Sequence, residues 1–164
     1  MTANELRFVL RLVLAFFASY AALFLLDWAA PAVFLPLKVF VANSEALLLP
    51  AAGIPAFAYG PLVRAGSWSF TIVLECTGAV LLALLLSLFY ASRLGTRKTL
   101  AFLAFYAPFL ALFNIARLFA TIYSAAAYGR AAFEATHLFL WLFDSFVVLL
   151  LWARATGFSL SKRP

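Results

Sequence analysis

Three side chains with chemical potential stand in three separate apolar segments of the 164-residue sequence: Cys76, Arg117 and His137. The cysteine and the histidine are the only residues of their types in the chain. A cysteine reacts as its thiolate, whose pKa falls at a helix N-terminus or beside a cation. A histidine can accept the thiol proton and pass it to a leaving amine, and an arginine can stabilise an oxyanion. These residue types indicate attack by a cysteine on a carbonyl group.

The residues beside these three indicate supporting roles. Thr77 and Gly78 follow the cysteine, and backbone N–H groups at a helix start can contribute to an oxyanion hole. Asn114 stands three residues before Arg117, so the two share one helical face. Glu75 would raise the pKa of the neighbouring thiol, which argues against its being the activator. Pairing with Arg117, orienting a partner and capping the helix start remain open roles for Glu75.

Composition places the chain in a membrane. Hydrophobic residues make up 67% of the sequence and charged residues 11%, whereas soluble domains are roughly half apolar and a quarter charged. One cysteine excludes an internal disulfide and a cysteine zinc cage, and one histidine excludes a multi-histidine site, so no metal or cofactor is expected. The net charge of +6 is dispersed among apolar segments, which favours topology signals over a nucleic-acid surface.

Apolar segments predict one all-α membrane domain over residues 1–164. A spanning helix needs roughly 20 mostly apolar residues, and four segments qualify. Pro108 lies inside the third segment and predicts a kink there. The first apolar run exceeds the roughly 7–15 residues of a signal peptide, which favours a retained anchor. The predicted spans cover about 8–29, 75–91, 99–124 and 136–153.

Basic residues give the orientation of these spans. The larger basic groups fall on one side of four spans, which the positive-inside rule makes cytoplasmic. Both termini of a multi-pass protein of the cell membrane are then inside. The cytoplasmic groups are Arg7 and Arg11, then Arg93, Arg97 and Lys98, then Arg154, Lys162 and Arg163, while Lys38, Arg64 and Arg130 lie outside.

The segment of about 30–71 is predicted to be extracytoplasmic and to have two parts. Its first half is apolar but interrupted by prolines and charges, which indicates an interfacial amphipathic or re-entrant helix. Its second half contains two β-rich runs, FAYGPLVR and SWSFTIVL, around Ala65-Gly66. These runs predict a small β-hairpin leading into Glu75 and Cys76.

Cys76, Arg117 and His137 share a depth in the predicted bundle. Each lies about 26–28 Å of helix from the nearest cytoplasmic basic group, close to the roughly 30 Å thickness of the hydrocarbon core. Taken singly, they could be an inert core thiol, an arginine reaching the headgroups and an interfacial histidine. Those separate interpretations do not predict a common depth, so a shared site near the outer face is the hypothesis.

Motifs around these residues resemble a known family. E-C-T-G at Glu75–Gly78 is followed by N-I-A-R at Asn114–Arg117 and then by His137. In order, spacing and membrane side this pattern resembles the exosortase/archaeosortase family, over about residues 67–153. Family members carry a cysteine, a small residue and glycine at a helix start, then N-x-x-R and a histidine in later spans. Many relatives have more spans, so this chain resembles a minimal core of the family.

The resemblance implies a cysteine transpeptidase or protease. Such enzymes process exported proteins that end in a short motif, a transmembrane helix and a basic tail. The implied catalytic residues are Cys76, which forms a thioacyl intermediate, with Arg117 and His137. The implied partners are these exported proteins, membrane lipids and a lipid or glycan acceptor, with no nucleic acid.

Two other functions remain open from the residues alone. A non-enzymatic assembly or secretion factor that binds transmembrane helices would use Arg117 and Glu75 for intramembrane pairing. A simple membrane peptidase would hydrolyse its substrate instead of transferring it. A transporter is disfavoured because the polar groups gather at one face and no polar path continues across the bilayer.

Overall fold

The computed structural model describes residues 3–157, which are mostly helical with one small sheet. This agrees with the predicted all-α membrane class. Lys162 and Arg163 of the predicted cytoplasmic tail lie outside the described residues. In chain order the elements are α1 Ala3–Ala29, α2 Leu35–Ala51, β1 Ala56–Tyr59, β2 Leu62–Ala65, β3 Trp68–Thr71, α3 Ala79–Ala91, α4 Thr96–Tyr128 and α5 Arg130–Thr156.

Three of the described helices are long and apolar enough to cross a membrane: α1, α4 and α5. These correspond to the first, third and fourth predicted spans and extend beyond most of their predicted ends. Pro108 lies inside α4, which is assigned as one unbroken helix. Gly129, at φ 85°, separates α4 from α5. The chain is therefore a membrane protein with three candidate spans.

The second predicted span differs from its expected form. The α-helical part begins at Ala79 instead of Glu75 and has 13 residues, or about 20 Å of helix. Residues Leu74–Thr77 form a 3-10 turn ahead of it. Gly78 separates turn and helix because its left-handed φ of 79° does not occur inside a right-handed helix. A crossing of the membrane at α3 stays a prediction.

The predicted hairpin is present and belongs to a three-stranded antiparallel sheet. Its strands β2 and β3 are joined at Gly66-Ser67, with Ala65 paired to Trp68. Strand β1 pairs with β2 across Gly60-Pro61, whereas the sequence pattern FAYGPLVR predicts one run there. Each two-residue turn begins with a glycine at positive φ, as tight hairpins require.

Two apolar cores position the site. The first lies between α2, the sheet and α4, and the second between α3, α4, α5 and the face of α1 that packs on them.

Lys38 of α2 and Asp27 of α1 form an ion pair at 2.7 Å. The helix predicted in the first half of the segment of about 30–71 is present as α2. Its placement at an interface or in a re-entrant loop stays a prediction.

Candidate active site

Cys76 lies in the 3-10 turn, three residues before Ala79, the first residue of α3. Its backbone N–H donates to the carbonyl oxygen of Val73 at 3.0 Å. The predicted place in the first turn of a spanning helix is therefore wrong, because Gly78 breaks the helix after the cysteine. The prediction that the N-terminal dipole of that helix activates the thiol therefore has no support from this geometry. The side chain is half-buried and packs against the core shared by α2, the sheet and α4.

Asn114 of α4 holds this turn directly. Its side-chain Nδ2 donates to the carbonyl oxygen of Cys76 at 2.7 Å. A Cβ added at Gly78 would lie 3.3 Å from the Cβ of Asn114, a close approach that only glycine permits comfortably. The E-C-T-G and N-I-A-R motifs thus meet in space.

Thr77 closes the same turn from inside. Its hydroxyl donates to the carbonyl oxygen of Leu74 at 2.6 Å and lies 3.4 Å from the backbone N–H of Ala79. Thr77 is 6% exposed. The threonine therefore links the 3-10 turn to the start of α3. Its backbone contribution to an oxyanion hole stays a prediction.

Arg117 follows Asn114 on α4 and forms a buried ion pair that was not among the sequence predictions. Its Nη1 lies 2.5 Å from Oδ2 of Asp144 on α5. The two residues are 7% and 2% exposed. An acidic residue in the middle of an apolar span was the available signal, since such groups are costly and usually functional. The pair ties α4 to α5 beside the cysteine turn.

Glu75 does not pair with Arg117. It accepts a hydrogen bond from the hydroxyl of Tyr20 on α1 at 3.1 Å, on an exposed face. Among the described residues, no hydrogen bond joins the carboxylate of Glu75 to the start of α3, where the Thr77 hydroxyl lies near the N–H of Ala79 instead. That Glu75 orients a partner stays a prediction, and its observed contact is the hydrogen bond from Tyr20.

His137 lies on the exposed part of α5, seven residues before Asp144 on the same helical face. Its ring stacks on that of Phe133, with centroids 5.6 Å apart. An electrostatic interaction links it to Asp144. Within residues 3–157 no hydrogen bond joins His137 to Cys76. The structure therefore brings Cys76, Asn114 and Arg117 together and leaves His137 at the border of the group, beyond Asp144.

The resting thiol is not strongly activated. Burial raises the pKa of Cys76, the hydrogen bond to Val73 and the charge of Arg117 lower it, and the charge of Glu75 raises it. This confirms the expected sign of the effect of Glu75. Among the described residues no group of three or more acidic, histidine or cysteine side chains could hold a metal ion.

The fold and the site define a helical membrane protein in which an asparagine holds the cysteine turn and the charge of a buried arginine acts on the thiol. A family model described as transmembrane exosortase matches residues 2–153, and the chain belongs to this family. The match extends the predicted resemblance to include α1 and α2. No curated protein and no solved structure matches the chain.

Proposed function

We propose that this exosortase-family protein is a cysteine transpeptidase that removes the C-terminal sorting helix of exported proteins. The observation that carries the proposal is the contact between the E-C-T-G and N-I-A-R motifs. Asn114 donates to the carbonyl oxygen of Cys76, and the charge of Arg117 acts on the thiol. A cysteine that serves packing alone needs neither a side-chain hydrogen bond to its carbonyl oxygen nor a neighbouring buried cation.

In the first half-reaction, Cys76 Sγ attacks a peptide carbonyl carbon in the sorting motif. His137 accepts the thiol proton, and the carbonyl oxygen becomes an oxyanion that Arg117 stabilises. The C–N bond then breaks, the proton passes to the leaving amine, and the helix-bearing tail departs. An amine or hydroxyl of a lipid or glycan acceptor attacks the thioester next. The C–S bond breaks and the thiol recovers its proton.

Unpaired polar atoms support a role in binding a reacting group. Among the described residues, Arg117 Nε and Asn114 Oδ1 are buried without a hydrogen-bond partner. Buried polar groups normally have partners, and exceptions call for an explanation. The ion pair with Asp144 occupies Nη1 of Arg117, so the guanidinium keeps a donor for the substrate carbonyl. Because the resting thiol has a raised pKa, we infer that substrate binding and His137 complete its activation.

An apolar cavity beside the cysteine turn supports a helical substrate. It has a volume of about 600 Å³ and reaches Thr77 and Gly78 at one end. Many of its lining residues are small, which allows a helix backbone to approach closely. These small residues are Ser19, Ala22, Ala79, Ala83, Ala107 and Ala111.

The proposed orientation keeps both termini in the cytoplasm and the cysteine turn at the outer face, with α3 as a short fourth crossing. It rests on the positive-inside rule applied to Arg93 of the α3–α4 loop and to Arg97 and Lys98 at the start of α4. The sheet and α2 then lie on the outer side, where an exported substrate would present its motif.

The testing experiment follows cleavage of an exported reporter that carries a candidate sorting helix. The wild type should cleave it, and Cys76→Ala, Arg117→Ala and His137→Ala should not. Arg130→Ala is the matched control, because this arginine is exposed and its ion pair among the described residues is with Glu134, one helical turn away. Mass spectrometry of the new C-terminus separates transfer, which leaves a modified end, from hydrolysis, which leaves a free carboxyl group. Equal cleavage by all variants would contradict the proposal.

A second candidate function is a non-enzymatic factor that binds transmembrane helices. The observation that favours it is the ion pair of Arg117 with Asp144, which is internal to the protein and could serve packing alone. Cys76→Ser separates the two functions, since serine keeps the size but loses the thiolate. An enzyme should lose turnover in this variant, whereas a binding factor should keep its complementing activity in cells.

A further inference from the structure

Three arginines converge at the end of the bundle opposite the cysteine turn. Arg7 and Arg11 of α1 and Arg93 of the α3–α4 loop line one cavity of about 290 Å³, which we call the arginine cavity. None of the ion pairs among the described residues involves these arginines. Like charges brought together without an acidic partner favour an anionic ligand.

Arg93 adopts an unusual backbone conformation at this cavity. It is the described non-glycine residue with positive φ, at 55°. Its N–H donates to the carbonyl oxygen of Tyr90 and that of Leu94 donates to Phe89, each at 3.0 Å. A helix that ends in this way usually has glycine at the left-handed position. An arginine held there despite the strain points to a use for its side chain.

An apolar cavity adjoins the arginine cavity through Arg11, which lines both. Its volume is about 760 Å³, and we call it the chain cavity. Its walls include Leu14 of α1, Leu86 of α3 and Leu103 of α4. A cationic cavity that opens into an apolar one matches a phosphate headgroup joined to acyl chains. Basic pockets between membrane helices bind anionic lipid headgroups in this way.

We propose that this compound site binds one anionic phospholipid from the leaflet that borders the α3–α4 loop. The phosphate lies among Arg7, Arg11 and Arg93, and an acyl chain lies in the chain cavity. The chain cavity also shares Ser19 and Leu86 with the cavity beside the cysteine turn. The lipid thus occupies the far end of one continuous cleft between α1, α3 and α4. This inference does not depend on the proposed transpeptidase activity.

The test measures lipid retention and thermal stability of the purified full chain in neutral detergent. Native mass spectrometry should show dioleoyl phosphatidylglycerol retained in preference to dioleoyl phosphatidylcholine. Arg7→Gln and Arg11→Gln should each weaken retention about five-fold, the effect of one basic residue at an anionic lipid surface. Arg97→Gln is the control, because this arginine at the start of α4 does not line the arginine cavity. This variant should retain lipid as the wild type does.

Arg93→Gly gives the sharpest result. Glycine relieves the left-handed strain, so the variant should melt at or above the wild-type temperature without lipid and yet bind phosphatidylglycerol about five-fold more weakly. Equal retention of both lipids, or equal losses in Arg97→Gln and Arg93→Gly, would overturn the proposal in favour of general surface charge. Displacement of the lipid by millimolar inorganic phosphate would overturn it in favour of a simple anion site.

Discussion

At the scale of single residues, the cysteine turn depends on the absence of one side chain. Gly78 has a φ of 79°, and an added Cβ would meet the side chain of Asn114 at 3.3 Å. Asn114 in turn donates to the carbonyl oxygen of Cys76. Glycine is required here because it adopts a positive φ and because it has no side chain. Both properties affect the position of the thiol.

We predict that Gly78→Ala destabilises the protein by the left-handed penalty of roughly 1–2 kcal/mol and by a further ~1 kcal/mol or more for crowding Asn114. Gly53→Ala is the matched control, because Gly53 also has positive φ, at 82°, but nothing within 4 Å of an added Cβ. Thermal unfolding in detergent measures both. Equal losses in the two variants would mean that the contact with Asn114 has no energetic weight.

The ion pair of Arg117 and Asp144 allows packing to be separated from chemistry. Asp144→Leu alone leaves a buried charge unpaired and should cost about 3–5 kcal/mol. Adding Arg117→Met should restore stability, since apolar residues of similar volume often replace a buried pair without loss. Cleavage of the sorting reporter should stay absent in the stable double variant. Recovery of both stability and cleavage would show that Arg117 has a packing role only.

At the scale of elements, the sheet and α5 are joined by a row of aromatic rings. Trp68 and Phe70 of β3 have centroids 6.2 Å apart, Phe70 lies 5.9 Å from Phe133 of α5, and Phe133 stacks on His137 at 5.6 Å. The strand that leads to the cysteine turn therefore also positions the histidine. The row of rings thus connects the small sheet to the helix that contains His137.

Under the proposed mechanism, we predict that Phe133→Ala slows thioester formation roughly ten-fold to a hundred-fold, because small displacements of the proposed base His137 cost this much. Rapid-quench measurement of the first half-reaction tests the expectation. Phe139→Ala is the control on the same helix, since Phe139 is exposed and stacks on Phe143 instead of His137. An unchanged rate in Phe133→Ala would show that the aromatic row does not position the histidine.

At the scale of the whole molecule, one buried carboxyl group makes stability depend on pH. Glu45 of α2 is fully buried, and neither of its carboxyl oxygens has a hydrogen-bond partner among the described residues. Burial raises its pKa from 4.5 to about 8. The folded protein keeps this proton up to about pH 8, while the unfolded chain releases it near 4.5. Stability contributed by the neutral form is therefore lost as pH rises through this window.

We predict that Glu45→Gln raises the melting temperature at pH 8.5 by about 5 °C or more and changes it little at pH 4, below the window. The amide mimics the neutral carboxyl group and cannot ionise. Glu134→Gln is the control, because Glu134 is exposed and pairs with Arg130 at the surface. The same melting difference at both pH values would show that ionisation of Glu45 does not limit stability.

Local properties of the sequence were enough for much of this picture. Apolar runs predicted the helices now seen as α1, α4 and α5, because length and hydropathy decide membrane insertion. Short motifs predicted that Asn114 and Arg117 share a face, because helical periodicity is local. The glycine at Gly66 predicted the β2–β3 turn in the same way. Family membership also follows from the sequence, since the match covers residues 2–153.

Only the tertiary structure decided which of these groups meet. Three contacts join residues that lie far apart along the chain. Arg117 pairs with Asp144, Glu75 accepts a hydrogen bond from Tyr20, and Phe70 contacts Phe133. Packing of the helices brings each pair together. The 3-10 turn at Cys76 could not be predicted from the local sequence either, because Asn114 stabilises it from another helix. The sequence alone therefore determined the membrane class, most helices and the candidate residues. Packing between helices decided the contacts, since such contacts have no fixed spacing along the chain.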